Sequence, residues 1–176
     1  MLANVTIAGV ASSIPKKVVT NTELESLVET SDEWITKRTG IHTRHVAVEE
    51  TATGMAADSA AKALAMSGVP KESIGLIVAC TITGEDLTPS MASSVQKSLG
   101  ISTCAAFDVS AGCTGFIYEL VTAASLMDTL DVETAIVVAS EKMSNYTDWS
   151  DRSTCVLFGD GAGAVVLRRS DTPRVQ

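Results

Sequence analysis

Short apolar runs rich in Val, Ile and Ala alternate along the whole chain with longer segments whose apolar positions recur at helical spacing. That rhythm predicts a layered α/β fold. The runs at residues 5–10, 74–83 (IGLIVACTIT), 104–109 and 134–139 predict four strands, and their near-continuous apolar character predicts a sheet covered on both faces. Residues 161–167 (GAGAVVL) begin small and end β-branched, which predicts a fifth strand entered through a tight glycine turn. Residues 51–67 place Met55, Ala56, Ala60, Ala63, Leu64 and Met66 at helical intervals, with Gly68 and Pro70 as stop signals. Residues 89–99 start with Pro89 in a first-turn position and end before Gly100, the usual asymmetry of helix ends. The pattern over 113–130 is apolar nearly all round, with Phe116, Ile117, Leu120, Val121, Ala124, Leu126 and Met127. A helix of that kind is buried on nearly all sides, yet one sheet covers only one of them, so its far side needs another partner. The polar segment 168–176 (RRSDTPRVQ) reads as a surface connection resembling a linker.

A length of 176 residues predicts one domain, or at most two small ones. Hydrophobic content of 45% with 19% charged residues excludes disorder for most of the chain. Thirteen Lys and Arg against 21 Asp and Glu give a net charge of -8, which argues against a nucleic-acid binder, since phosphate neutralisation needs a cationic face. A local basic cluster could still hold an anion. No apolar run reaches the roughly 20 residues of a membrane span, and the opening MLANVTIAGVASSIPKK carries no basic leader. The expectation is a soluble, cytoplasmic protein that engages neither membrane nor nucleic acid.

The chemistry concentrates in a few places. Cys80, Cys104, Cys113 and Cys155 show neither CxxC spacing nor the density of a secreted scaffold, so free thiols are expected. His42 and His45 lack the spacing and carboxylate partners of a metal site and read as loop histidines, leaving no metal site. In AFDVSAGCTGF (106–116) a β-like run gives way to a helix beside Cys113, with Gly112 and Gly115 flanking it. A thiol at a helix N-terminus meets unpaired N–H groups and a partial positive charge, which favour the thiolate and an adjacent oxyanion. The alternative is a buried structural cysteine, the reading given to Cys80, Cys104 and Cys155. The run Gly159-Asp160-Gly161-Ala162-Gly163 is followed by β-branched residues instead of a helix, which excludes a dinucleotide fingerprint. Lys37, Arg38 and Arg44 form the one basic stretch, and Trp34 lies four residues before Arg38, the same face of a helix. An indole with a guanidinium could sandwich a planar base while cations meet phosphates; the alternative is a core tryptophan beside a solvated charge run.

Three ordered blocks, TSDEWITKRTGI (30–41), AFDVSAGCTGF (106–116) and DRSTCVLFGDGAGAVVL (151–167), resemble the β-ketoacyl-acyl-carrier-protein synthase III family of the thiolase-like superfamily. The resemblance implies two similar α/β halves packed face to face, each with a mixed five-stranded sheet, and a nucleophile helix buried between them. Residues 1–167 resemble the N-terminal half, 168–176 a linker, and the C-terminal half is absent. The resemblance implies that Cys113 is a nucleophile that takes an acyl group, acetyl in the family reading, from acyl-CoA and passes it to decarboxylated malonyl-acyl carrier protein, initiating fatty-acid synthesis. It assigns Thr30, Trp34, Arg38 and Arg152 to CoA, places Leu157 and Phe158 near the acyl pocket, and puts Thr88 where relatives contribute a pocket residue across a dimer. The family's catalytic His and Asn belong to the absent half. The implied partners are a complementary half carrying those residues, acyl carrier protein and a second complete unit in a homodimer, with acyl-CoA as substrate and no cofactor. A basic patch for the acidic carrier is expected on the missing half or around residues 37–44. A non-catalytic acyl-CoA-binding subunit, or another thiolase-like condensing enzyme of the polyketide starter type, is the rival reading.

Overall fold

The computed structural model describes residues 4–170. In chain order these form β1 (Val5–Ser13), β2 (Lys17–Thr20), α1 (Asn21–Leu24), α2 (Asp32–Thr39), β3 (Thr43–Val46), α3 (Ala52–Ser67), β4 (Ile74–Cys80), α4 (Met91–Leu99), β5 (Ala105–Val109), α5 (Gly115–Thr129), β6 (Thr134–Lys142) and β7 (Asp160–Arg169). The main sheet has the order β1-β7-β6-β4-β5. β4 runs parallel to β5 and β6, while β7 is antiparallel to both β6 and β1, so the five-stranded sheet is mixed. β2 and β3 form a separate antiparallel pair, in register from Lys17 opposite Val46 to Thr20 opposite Thr43.

Side chains alternate across the sheet, and each face has its own core. Ile77, Ala79, Ile136, Val138, Ala164 and Val166 meet α3 and α4 on one side. Ala52, Ala56, Ala60 and Ala63 lie on one face of α3, and their small size lets the helix backbone come close to the strands. Leu76, Val78, Val137, Val165 and Leu167 meet Ala123 and Met127 of α5 on the other side. The central strands are therefore dry on both faces, as their apolar runs predicted. β1 departs from this because it is an edge strand, leaving Ile7 and Val10 exposed.

The strand and helix ends differ from the expected ones for local reasons. β4 stops at Cys80 because the Glu141 carboxylate gathers the next residues, accepting from the Ile82 N–H at 3.0 Å and from the hydroxyls of Thr81 and Thr83. Helix α4 starts at Met91, after Pro89, because Ser90 caps it by accepting from the Ser93 N–H at 3.1 Å. The Asp108 carboxylate takes the Met91 and Ala92 N–H groups at 2.7 and 2.8 Å. Gly161 and Gly163 lie inside β7, so the expected glycine turn before it does not form. The glycine the packing requires is Gly159, where a Cβ would sit 2.9 Å from the His45 carbonyl oxygen. β7 also continues through Arg168 and Arg169, two residues into the segment expected to be a connection. Arg169 is held there by Asp131 at 2.8 Å and the Met127 carbonyl at 2.7 Å. The rest of that segment, 171–176, lies outside the described residues. Among the described residues no helix is long and apolar enough to cross a membrane.

Candidate active site

β5 ends at Val109, a 3₁₀ turn spans Gly112–Thr114, and α5 begins at Gly115. Gly112 turns the chain with φ of 54°, a value L side chains rarely adopt. Gly115 is required by space: a Cβ there would lie 1.9 Å from the Cys80 Sγ, so the first turn of α5 rests directly on the end of β4. Burial raises the pKa of that thiol. Cys113 thus sits in the 3₁₀ turn before α5, which starts two residues later than the expected start at Cys113. It is the exposed member of four free cysteines; Cys80 and Cys155 are buried and Cys104 is half-buried. The burial that the structural alternative expects for Cys113 is not found. No side chain caps α5, because the Thr114 hydroxyl donates to the Ala111 carbonyl at 3.1 Å, so the dipole end beside the thiol keeps free donors.

The second cluster is built by α2. Ser31 caps it by accepting from the Trp34 N–H at 3.1 Å, which fixes the indole at the first turn. Arg38, one turn on, lies 4.3 Å from the ring centroid, and Arg152 lies 4.2 Å from it. Among the described residues neither guanidinium has a carboxylate within ion-pair distance. Trp34 also packs against the small core of Val19, Leu24, Ile35, Cys155 and Val156. The indole is thus anchored in that core and carries two guanidiniums over its ring.

The two clusters share one edge of the sheet. β4, β5 and β6 are parallel, so the 81–90 loop, the Cys113 turn and the 143–159 excursion all leave from C-terminal strand ends. Parallel α/β sheets bind ligands at that edge. Residues 107–176 match the family described as 3-oxoacyl-[acyl-carrier-protein (ACP)] synthase III. Over 168 residues the chain is 45% identical to the β-ketoacyl-[acyl-carrier-protein] synthase III of Clostridium acetobutylicum, covering 96% of this chain and 52% of that protein. Over nearly its whole length the chain is similar to synthase III proteins. It superposes on the Aquifex aeolicus synthase III crystal structure with a TM-score of 0.93 at 47% identity, covering 96% of this chain and 55% of that one. A priming β-ketosynthase from the R1128 polyketide pathway gives a TM-score of 0.93 at 37% identity, covering 97% of this chain and 52% of that one. The chain spans about half the length of the curated relatives it matches.

The remaining residues singled out by the synthase III resemblance are placed as follows. Thr30 is half-buried with its hydroxyl oxygen covered and unpartnered. Leu157 and Phe158 follow buried Val156 and are themselves exposed. Thr88 is exposed in the 81–90 loop beside Leu87, whose side chain stands fully in solvent. Arg44 departs from expectation. It is 5% exposed and donates to the Val19 carbonyl at 3.2 Å, the Asn21 Oδ1 at 2.6 Å and the Val156 carbonyl at 3.3 Å. It ties β3 to β2 and to the segment carrying Arg152, so it cannot form part of a carrier-docking patch. His45 is likewise structural, its ring nitrogen 2.6 Å from the Pro15 carbonyl. Among the described residues no group of three or more His, Cys, Asp or Glu is placed to hold a metal ion. The sequence reading missed Glu119, although it is the single carboxylate between Gly115 and Met127 in an otherwise apolar helix. It is completely buried with both oxygens unpartnered.

Proposed function

We propose that this chain is the acyl-accepting half of a 3-oxoacyl-acyl-carrier-protein synthase III, with Cys113 as nucleophile. The exposed thiol at the uncapped end of α5 carries the proposal. The Cys113 thiolate attacks the thioester carbonyl of an acyl-CoA, acetyl-CoA in the family reading. The free N–H groups of the turn, among them that of Cys113, stabilise the oxyanion. The bond from the carbonyl carbon to the CoA sulfur breaks, CoA leaves as a thiolate that takes a proton from solvent, and an acyl-cysteine remains. Trp34, Arg38 and Arg152 would hold the adenine and phosphates, the guanidiniums contributing charge that no carboxylate here neutralises. Thr30 lies at the head of the same block. Leu157, Phe158 and Thr88 would border the acyl chain.

In the second half-reaction malonyl-acyl carrier protein loses carbon dioxide, its α-carbon attacks the acyl-cysteine carbonyl, and the Cys113 thiolate departs, leaving a 3-oxoacyl carrier protein. A complementary C-terminal half supplies the His and Asn that assist decarboxylation, and it covers the outer face of α5, where Ile117, Tyr118, Val121 and Leu130 are exposed. The resemblance to a priming ketosynthase favours a starter-unit role in either lipid or polyketide synthesis. Intact-mass measurement after incubation with acetyl-CoA tests the first half-reaction. One acetyl adduct, mapped to Cys113 and absent in Cys113→Ala, is expected. No adduct, or an adduct on another cysteine, refutes it. Transfer of that acetyl group to malonyl-acyl carrier protein separates a synthase from an acyl-CoA-binding subunit.

A further inference from the structure

Glu119 is one helical turn beyond Gly115, on the face of α5 that packs against the sheet. The charge of Asp108 on β5 acts on Glu119, and the Cys80 thiol of β4 and the Glu141 carboxylate of β6 are the other titratable groups of this region. None of these is cationic. The same Cys80 sulfur is what Gly115 rests on, two residues after Cys113. The seat of the helix therefore adjoins the nucleophile turn, with the buried acid one helical turn further along the same face.

We propose that Glu119 is a positioning residue for Cys113: its neutral carboxyl lets the first turn of α5 seat on Cys80 through Gly115, and that seat fixes the adjoining 3₁₀ turn that presents the thiol. The inference rests on the reading of Cys113 as the acyl acceptor. Ionised, the same side chain would place a second negative charge beside Asp108 in a space without a donor, since Asp108 is already committed to the start of α4. The first turn of α5 would have to lift to admit water, and Cys113 would move with it. Burial, with a smaller contribution from Asp108, pushes the Glu119 carboxyl up to about 9, so the neutral form prevails at neutral pH.

The test is the rate of Cys113 alkylation by iodoacetamide, located by peptide mass, from pH 7 to 10 in the purified protein and in Glu119→Gln, with acetylation by acetyl-CoA followed in parallel. In Glu119→Gln the rate should follow the thiolate titration alone. In the wild type it should fall behind by about tenfold at pH 10, one unit above the Glu119 titration point. The infrared carbonyl band of a protonated carboxyl should disappear in the wild type over the same interval. Superimposable alkylation profiles, or a Glu119 already ionised at pH 7, overturn the proposal. Alkylation that behaves as expected in a protein that takes no acetyl from acetyl-CoA keeps the positioning role and refutes the acyl-transfer reading instead.

Discussion

Replacing Glu119 by Gln should change how stability depends on pH, and the size of the change follows from burial. The Glu119 carboxyl titrates near 4.5 when unfolded and is pushed up to about 9 in the folded chain. Between those values the folded state holds one proton that the unfolded state has lost, so the unfolding free energy falls as pH rises, by about 1.4 kcal/mol per unit. The favourable contribution of this group is complete below pH 4.5 and is lost progressively up to about pH 9. From pH 5 to 7 the wild type should therefore lose about 3 kcal/mol relative to Glu119→Gln, a large part of the roughly 5–15 kcal/mol that stabilises a typical domain. The buried amide of Gln adds its own cost of about 1–3 kcal/mol for unpaired donors, but that offset does not vary with pH. Lowered carboxylates elsewhere, such as Asp58 beside Lys62, are common to both proteins and cancel in the difference. Urea denaturation followed by circular dichroism at pH 5, 6, 7 and 8 measures the slope. Parallel stability curves for the two proteins would mean that Glu119 is ionised or solvated, and the account of the α5 seat would fail.

Three further outcomes follow from named contacts. Arg152→Ala should weaken CoA binding by about 0.5–2 kcal/mol, or two- to thirty-fold in Kd, with a shallower salt dependence; calorimetry showing unchanged affinity would remove Arg152 from the site. Arg44→Met should destabilise the fold by about 3 kcal/mol or more because three buried acceptors lose their donor, whereas Lys37→Glu at an exposed position should stay within about 0.5 kcal/mol; equal urea midpoints for the two would contradict the structural role of Arg44. Gly115→Ala should cost about 1–3 kcal/mol by overpacking against Cys80, and adding Cys80→Ala should recover part of that; a double-mutant cycle with no coupling would show that the helix does not rest on that sulfur.

The layered fold could be read from the hydrophobic pattern because the dry central strands and the alanine-faced α3 carry strong periodicity. α2 carries almost none: Ile35 is its one buried residue, and its form is set by the Ser31 cap and the Gly40 end. The β2–β3 pair is equally faint, four residues per strand with Val19 and Arg44 as the buried positions. Strand ends were misjudged where a carboxylate on a distant element captures the backbone, as Glu141 does after β4 and Asp108 does before α4. The turn that carries Cys113 was legible because a strand-to-helix change with flanking glycines is local. The role of Arg44 was not, since its three acceptors lie up to 112 residues away in sequence. Glu119 was visible as a lone acid in an apolar helix, but only the packing shows that it faces inward.

That inward acid lies opposite exposed apolar side chains on α5. The sheet side of the helix carries Gly115, Glu119, Ala123 and Met127, while its open side carries Ile117, Tyr118, Val121 and Leu130. Four large side chains about half covered leave on the order of 3–6 kcal/mol of further burial to be gained. The inner face loses stability at neutral pH by keeping a proton on Glu119. Both terms point the same way: covering the outer face would offset what the buried acid costs. It would also enclose Cys113 on the side away from the sheet and raise the strength of every dipole aimed at it. A second surface on α5 would therefore tighten the fold and complete the electrostatics of the thiol in one step, which couples reactivity at Cys113 to assembly.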